Sequence, residues 1–219
     1  MLRSNFEEQL NELHVDLDRM CSLAINAIDS CVKAFEEHDK ELANDIIGGD
    51  KIINDAERSI EGKCLRLLLT QQPIASDLRD VSTALKVVTD LERIGDQSAD
   101  IADIIIESDL ENSFDIVQHI PPMASFCKDE VNMAIKAFHN HDLKLAQEVK
   151  DMDSKLDEYF ISIKKELIQM VTDSPDNADV VLNFLMIAKY FEKIGDHAKN
   201  ICKWVEFNET GKVNDKRIM

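Results

Sequence analysis

The chain has 219 residues, 44% of them apolar and 5% aromatic, enough for one large or two small helical cores. Its 43 acidic and 25 basic side chains leave a formal charge of -18, which repels nucleic-acid phosphates and anionic lipid headgroups and favours a cation or a basic protein surface as partner. The N-terminal stretch MLRSNFEEQLNELHVDLDRM is acidic and amphipathic, with no apolar signal region. No later segment reaches the roughly 18 uninterrupted apolar residues of a membrane span, so a cytoplasmic protein that meets membranes only through partners is expected.

Apolar residues recur at spacings of three and four, as in Leu78, Val81, Leu85, Val88 or Leu156, Phe160, Ile163, Leu167, and no convincing period-two strand appears. The fold class is therefore all-α. The first helix is expected over 4–37 and ends at His38-Asp39, where Asp39 can cap a second helix over 40–70. Gly48 and Gly49 weaken that second helix, since a glycine costs about 1 kcal/mol against alanine in a helix interior, and a bend or short break is expected there. Pro73 separates it from a third helix over 76–108. The fourth is expected over 117–140, shortened by Pro121 and Pro122. His141-Asp142 opens a fifth over 143–172, Pro175 closes it, and a sixth runs over 177–208 before a polar tail that is expected to fray.

Five cysteines, widely spaced and without a C-x-x-C pair, read as buried thiols in a reducing compartment rather than a disulfide or zinc framework. The eight methionines and nine phenylalanines fall mostly at core spacings, and Trp204 reads as a plug at the end of a bundle.

The chain repeats internally. AFEEHDKELANDIIGGD (34–50) aligns with AFHNHDLKLAQEVKDMD (137–153), and LERIGDQSADI (91–101) aligns with FEKIGDHAKNI (191–201). Two copies of such length suit paired three-helix bundles better than a solenoid, whose repeats are roughly 20–45 residues long. Residues 1–110 and 111–210 are read as the two bundles and 211–219 as the tail.

The third helix of each copy carries an acidic motif. Its apolar seam Leu78, Val81, Leu85, Val88 continues to Glu92 and Gly95, which puts a carboxylate at the core margin, with Asp96 one turn on. Asp100, Asp103 and Glu107 extend the row. In the sixth helix Val181, Leu185 and Ala188 lead likewise to Glu192, Gly195 and Asp196. Like charges one turn apart repel unless a cation neutralises them, and an all-oxygen set suits hard ions such as Mg²⁺, Mn²⁺, Ca²⁺ or oxidised iron. Two other accounts stand beside a metal: a solvated acidic face tethered by Arg93 or Lys193, and interhelical salt bridges of Glu92 and Glu192 in a metal-free adaptor. Gly95 and Gly195 leave bare backbone against which another helix or a cluster can pack.

Enzymatic readings find little support. A carboxylate-bridged di-iron protein calls for Glu-x-x-His on two helices, and no glutamate here has histidine three residues on. There is no G-x-S-x-G elbow and no Gly-rich phosphate loop. The histidines read as surface or helix-end residues, with only His197, beside the second motif, open to testing as a ligand.

ALKVVTDLERIGDQSADIADI, QQPIASDLRDVSTALK and AKYFEKIGDHAKNI together resemble the PhoU family, with similarity from about residue 6 to 208. The resemblance implies two three-helix bundles in approximate twofold relation, and divalent or trivalent ions (Fe, Mn, Mg or Zn) at E/D-x-x-x-D motifs. Carried over residue by residue, the metal ligands are Glu92, Asp96 and Asp100 in the first half and Glu192 and Asp196 in the second. Asn200 stands where Asp100 predicts an acid, which weakens the second site. Glu12 and Asp16 form a further E-x-x-x-D that could face the first cluster, whereas FDIVQHIPPMAS offers none. The resemblance further implies a non-enzymatic negative regulator of phosphate uptake and starvation signalling. It would link the ATPase subunit of the phosphate ABC transporter to a sensor histidine kinase, and it would form a homodimer.

Overall fold

The computed structural model of the chain describes residues 2–70, 75–108, 117–213 and 216–217. Six long helices carry it: α1 (Leu2–Glu37), α2 (Lys40–Thr70), α3 (Ala75–Glu107), α4 (Ile120–His139), α5 (Leu143–Asp173) and α6 (Ala178–Thr210). A 3-10 turn at Pro175–Asn177 precedes α6, and β1 (Lys212–Val213) pairs antiparallel with β2 (Lys216–Arg217) after it. Helices α1, α2 and α3 pack into one bundle and α4, α5 and α6 into another. The bundles meet along α3 against α6 and α1 against α4.

The His-Asp pairs turn out to be two-part joints. His38 and His141 take left-handed backbone angles (φ 56° and 52°), a conformation in which histidine is enriched among non-glycine residues. Each lets the next N–H reach back over the helix end, Asp39 to the Ala34 carbonyl at 3.0 Å and Asp142 to that of Ala137 at 2.9 Å. The aspartates then cap the new helices: Asp39 Oδ1 accepts from the Glu41 and Leu42 amides, and Asp142 Oδ1 from those of Lys144 and Leu145. Histidine turns the chain and aspartate restarts it.

Three local expectations need correction. Helix α2 runs unbroken through Gly48 and Gly49, where an added Cβ would meet nothing within 4 Å. Tertiary packing of the rest of the helix outweighs the propensity cost. Pro121 and Pro122 lie inside the first turn of α4, where a missing N–H removes no helical bond, so the helix starts at Ile120 rather than 117. The polar tail continues α6 to Thr210, where Gly211 (φ 71°) donates its N–H to the Phe207 carbonyl at 2.8 Å. Pro73 lies outside the described residues.

A continuous apolar cluster runs through both bundles and across their contact. Fully buried Leu13, Leu17, Met20, Ala24 and Ile28 line the inner stripe of α1, and Val87, Val88, Leu91 and Ile94 that of α3. Phe35 of α1 meets Phe191 of α6 edge-to-face, centroids 6.2 Å apart, and His197 Nδ1 of α6 stands 2.8 Å from Asp90 Oδ1 of α3. All five cysteines are buried and unbridged. Burial pushes the Cys21, Cys64 and Cys202 thiols up to about 12, so they remain protonated packing groups. Trp204 packs edge-on against Phe207 under the Lys86 ammonium. Among the described residues, no helix is long and apolar enough to cross a membrane.

Candidate functional site

Helix periodicity puts Glu92, Asp96 and Asp100 on successive turns of α3, beside Gly95. A Cβ on Gly95 would stand 2.7 Å from Ile53 Cδ1, so the bare backbone is what lets α2 come this close. The approach brings Asp50 and Glu57 of α2 into electrostatic contact with the α3 carboxylates, with Asn54 hydrogen-bonded to Asp50. This partner set was missed in the sequence, although its spacing of four and three after Gly48-Gly49 is legible as one helix face.

Burial dominates the electrostatics here. Glu92, its side chain 13% exposed, has its carboxyl pushed up to about 7, first by desolvation and then by the charges of Asp96 and Glu57, against the opposing pull of Arg93. Desolvation likewise raises Asp50, Glu57 and Asp100, with neighbouring carboxylates adding to each. Arg93 holds Asp96 Oδ2 at 2.9 Å and lies 3.4 Å from Glu92 Oε2 as an ion pair only. Asn54 Nδ2 donates to Asp50 Oδ2 at 2.8 Å. That leaves Asp50 Oδ1, Asn54 Oδ1 and Glu92 Oε2 buried without a hydrogen-bond partner. Orphaned oxygens at a buried acidic face are costly alone and are the donor set of a hard cation.

The corresponding face of α6 is neutralised internally. Glu192 pairs with Lys189 and lies 3.8 Å from Lys193 Nζ, which reaches Asp196 Oδ2 at 2.5 Å. The Asp196 bond raises the Lys193 ammonium above its ordinary value. Lys189 also sits 5.3 Å over the ring of Phe160, the repeat partner of Glu57. Gly195 makes room for the Leu156 side chain and for Glu130 Oε2, which would stand 3.0 Å from an added Cβ. Asn200 joins Lys203 and Asp90 rather than an acidic row, and His197 is likewise engaged by Asp90 at the bundle junction.

Two other expectations part from this geometry. Glu12 and Asp16 face elsewhere: Asp16 pairs with Lys63 at 2.6 Å and lines an open groove with Glu12, Glu8 and Val15. Among the described residues, Glu92 pairs with Arg93 and Glu192 with Lys189 and Lys193, all on their own helices, rather than forming the interhelical bridges of a metal-free adaptor. Among the described residues, no three His, Cys, Asp or Glu side chains are drawn together as a metal-ligand group.

Fold and site together define a class: a duplicated all-α protein whose two bundles share one core and whose α2–α3 face gathers under-neutralised carboxylates. The PhoU domain matches the chain twice, at residues 17–105 and 120–205, and the chain belongs to the PhoU family. It is 38% identical over 216 residues to the phosphate-specific transport system accessory protein PhoU homolog of Clostridium acetobutylicum, covering 98% of this chain and 99% of that one. It is 31% identical to PhoU homolog 1 of Thermotoga maritima, over 95% of this chain and 90% of the relative. The crystal structure of PhoU from Pseudomonas aeruginosa superposes with a TM-score of 0.87 at 32% identity, over 94% of this chain and all 100% of that one. The phosphate transport system regulatory protein PhoU from Streptococcus pneumoniae superposes at 0.86 and 29% identity, over 96% of this chain and 99% of that one.

Proposed function

We propose that this chain is a cytoplasmic accessory protein of a phosphate-specific transport system that damps phosphate uptake and phosphate-starvation signalling. The observation that carries the reading is likeness along almost the whole chain to proteins named for that system. In this reading the protein acts by docking and needs no catalysed step. It bridges the transporter's ATPase subunit and a sensor histidine kinase, reaching the membrane only through them, and it self-associates as a homodimer. The formal charge of -18 favours a basic docking surface and mainly sets encounter rate and selectivity.

The metal belongs to the same reading. Orphaned Asp50 Oδ1, Asn54 Oδ1 and Glu92 Oε2 fit a hard cation, so Asp50, Glu92, Asp96 and Asp100 would hold it, with Glu57 adjacent. The ion would supply positive charge that fixes α2 against α3. Glu192 and Asp196 already carry lysine counterions and fit it less well.

Deleting the gene should switch on a phosphate-starvation reporter in phosphate-replete medium. A reporter that stays silent overturns the regulatory reading. Elemental analysis of protein purified without chelator or affinity tag tests the metal separately: bound metal should be lost in a folded Glu92→Gln, Asp96→Asn variant.

A further inference from the structure

Gly95 and Gly195 each make room for a neighbouring helix, whereas an added Cβ at Gly48 or Gly49, inside α2, would meet nothing within 4 Å. A glycine in a helix interior costs about 1 kcal/mol against alanine, and no close packing within the chain offsets it at these two positions. Their surroundings are open. Gly49 lines a groove between α1 and α2 that continues past Ala27 and Leu23 to Ile52, Ala56 and Asp16. Two adjoining hollows of about 160 and 300 Å³ share Leu23 and Ile52 as walls. On α1 the lining runs from Asp16 to Ser30, a length of about 21 Å or roughly four helical turns.

The repeat supplies an internal control. The register that aligns 34–50 with 137–153 sets this groove against its counterpart between α4 and α5, and a contact confirms it: Asp16 pairs with Lys63 where the second half pairs His119 with Glu166. In the second half the chain plugs the groove with its own rings. Tyr159 of α5 lies 6.0 Å from Phe126 of α4 and 6.5 Å from His119, centroid to centroid, with the Lys155 ammonium 5.2 Å over its face. In the first half Phe126 becomes Leu23, Tyr159 becomes Ala56, Lys155 becomes Ile52 and Met152 becomes Gly49. Ring and ammonium are gone, and Ile52 is left 53% exposed beside the hollow.

Charge narrows the occupant further. Asp16, Asp45, Asp50 and Asp55 line the groove against Arg19 alone. Lys63 answers Asp16 at 2.6 Å, and Arg58 lies 3.7 Å from Asp55 in an exposed pair that is worth little. Asp45 and Asp50, at the other end, adjoin the acidic face of α3 through Asp96 and Asp100, so the groove is anionic there. Apolar walls, an acidic rim and bare helix backbone suit an amphipathic helix laid in a groove. We propose that the α1–α2 groove docks an amphipathic helix of a partner protein, which inserts an aromatic side chain over Ala56 and presents lysine or arginine to Asp45 and Asp50. The partner thereby supplies from outside the ring and the ammonium that Tyr159 and Lys155 supply from within the second half. Gly48 and Gly49 keep the lip of the groove low enough for its backbone to come close. This surface rests on the docking reading above and gives it a place on the chain; because its probe is a peptide, failure to bind leaves that reading to the reporter assay.

The test is fluorescence anisotropy of a labelled amphipathic helical peptide of about 15 residues, the length of the groove, with Phe and Leu along one face and Lys along its borders, titrated with the full chain. Wild type should bind it, and replacing its Phe by Ala or its Lys by Glu should weaken binding about tenfold or more. Leu23→Phe, Ala56→Tyr, which imports the plug of the second half, should weaken it as much. Leu182→Lys, at a comparably exposed apolar position on α6, should bind as wild type does. No binding by wild type, or equal binding by the plugged variant, overturns the inference. So does a dimer in light scattering that the plugged variant breaks, because the occupant is then a second copy. Circular dichroism checks that the plugged variant is folded. Should it not be, Ile52→Lys carries the test with the same expected loss, because Ile52 is more than half exposed.

Discussion

Helices α3 and α6 carry the same Glu-x-x-x-Asp around the same glycine, yet they solve its electrostatics in opposite ways. On α6 the face holds Lys189 and Lys193 against Glu192 and Asp196, with Phe160 opposite on α5. On α3 the corresponding positions are Thr89 and Arg93, and α2 presents Glu57 where α5 presents Phe160. One half neutralises itself with ammonium groups from its own chain. The other concentrates carboxylates that burial pushes towards protonation and leaves Asp50 Oδ1, Asn54 Oδ1 and Glu92 Oε2 on this face without hydrogen-bond partners. A duplicated scaffold preserves helix geometry, but a few side chains on its faces decide whether an external cation has anything to offer.

The largest expected effect separates the halves by their response to metal. Divalent or trivalent metal at about a hundredfold over Kd should stabilise the wild type by roughly 2.7 kcal/mol, read as a rise in Tm. Glu92→Gln, Asp96→Asn should abolish the rise, and Glu192→Gln, Asp196→Asn should leave it. Converting Lys189 and Lys193 to Met should sharpen the contrast, because it exposes the second face to the same problem and creates a second metal-dependent increment.

The glycines break the comparison through packing. Gly195→Ala should destabilise by about 1–3 kcal/mol, since its Cβ meets both Leu156 and the buried Glu130 carboxylate. Gly95→Ala should cost less, because its Cβ meets Ile53 alone, Cδ1 at 2.7 Å and Cγ2 at 3.2 Å, with no buried carboxylate beside it, while the helix-propensity gain of about 1 kcal/mol is common to both variants. Urea denaturation of the two variants side by side measures the difference. Equal losses would mean that Glu130 adds nothing to the constraint at Gly195.

A pH effect follows from Glu92. Its folded carboxyl titrates at about 7 against an ordinary 4.5, so the folded protein holds more protons than the unfolded chain between those values. The favourable contribution is complete below about pH 4.5 and is lost as pH rises through about 7. In chelator, the stability advantage of Glu92→Gln over wild type should therefore grow across that window. A flat difference would place the Glu92 carboxylate in a better-solvated setting.

The smallest effect should be shared by both halves. Asp39→Ala and Asp142→Ala each remove a cap that accepts two amides, at a cost of about 1 kcal/mol. Similar losses in thermal melts would show that the joints, unlike the acidic faces, have stayed equivalent.

Much of the fold was legible because helix periodicity, Asp caps and prolines are local signals. The boundaries at Glu37, Lys40 and Leu143 follow from His-Asp pairs that act within a few residues. Where a local rule failed, neighbours had outvoted it: α2 passes Gly48-Gly49 because the rest of the helix is held by α1 and α3. Glu92 at a core margin was likewise readable from its seam. Its partners were not, because Asp50 and Glu57 become its neighbours only when α2 docks against Gly95, while the pairing of Asp16 with Lys63 is likewise a contact between helices.

By itself, then, the sequence determined helix content, the repeat, the caps and which α3 carboxylates sit beside the core, since each depends on chemistry within a turn or two of chain. Tertiary structure alone decided which face gained carboxylates and which gained lysines, which histidines met aspartates across the junction, and where a missing tyrosine ring became an open groove. Those outcomes depend on distances between helices, and burial turns such distances into pKa shifts, orphaned oxygens and ion pairs that no single helix records.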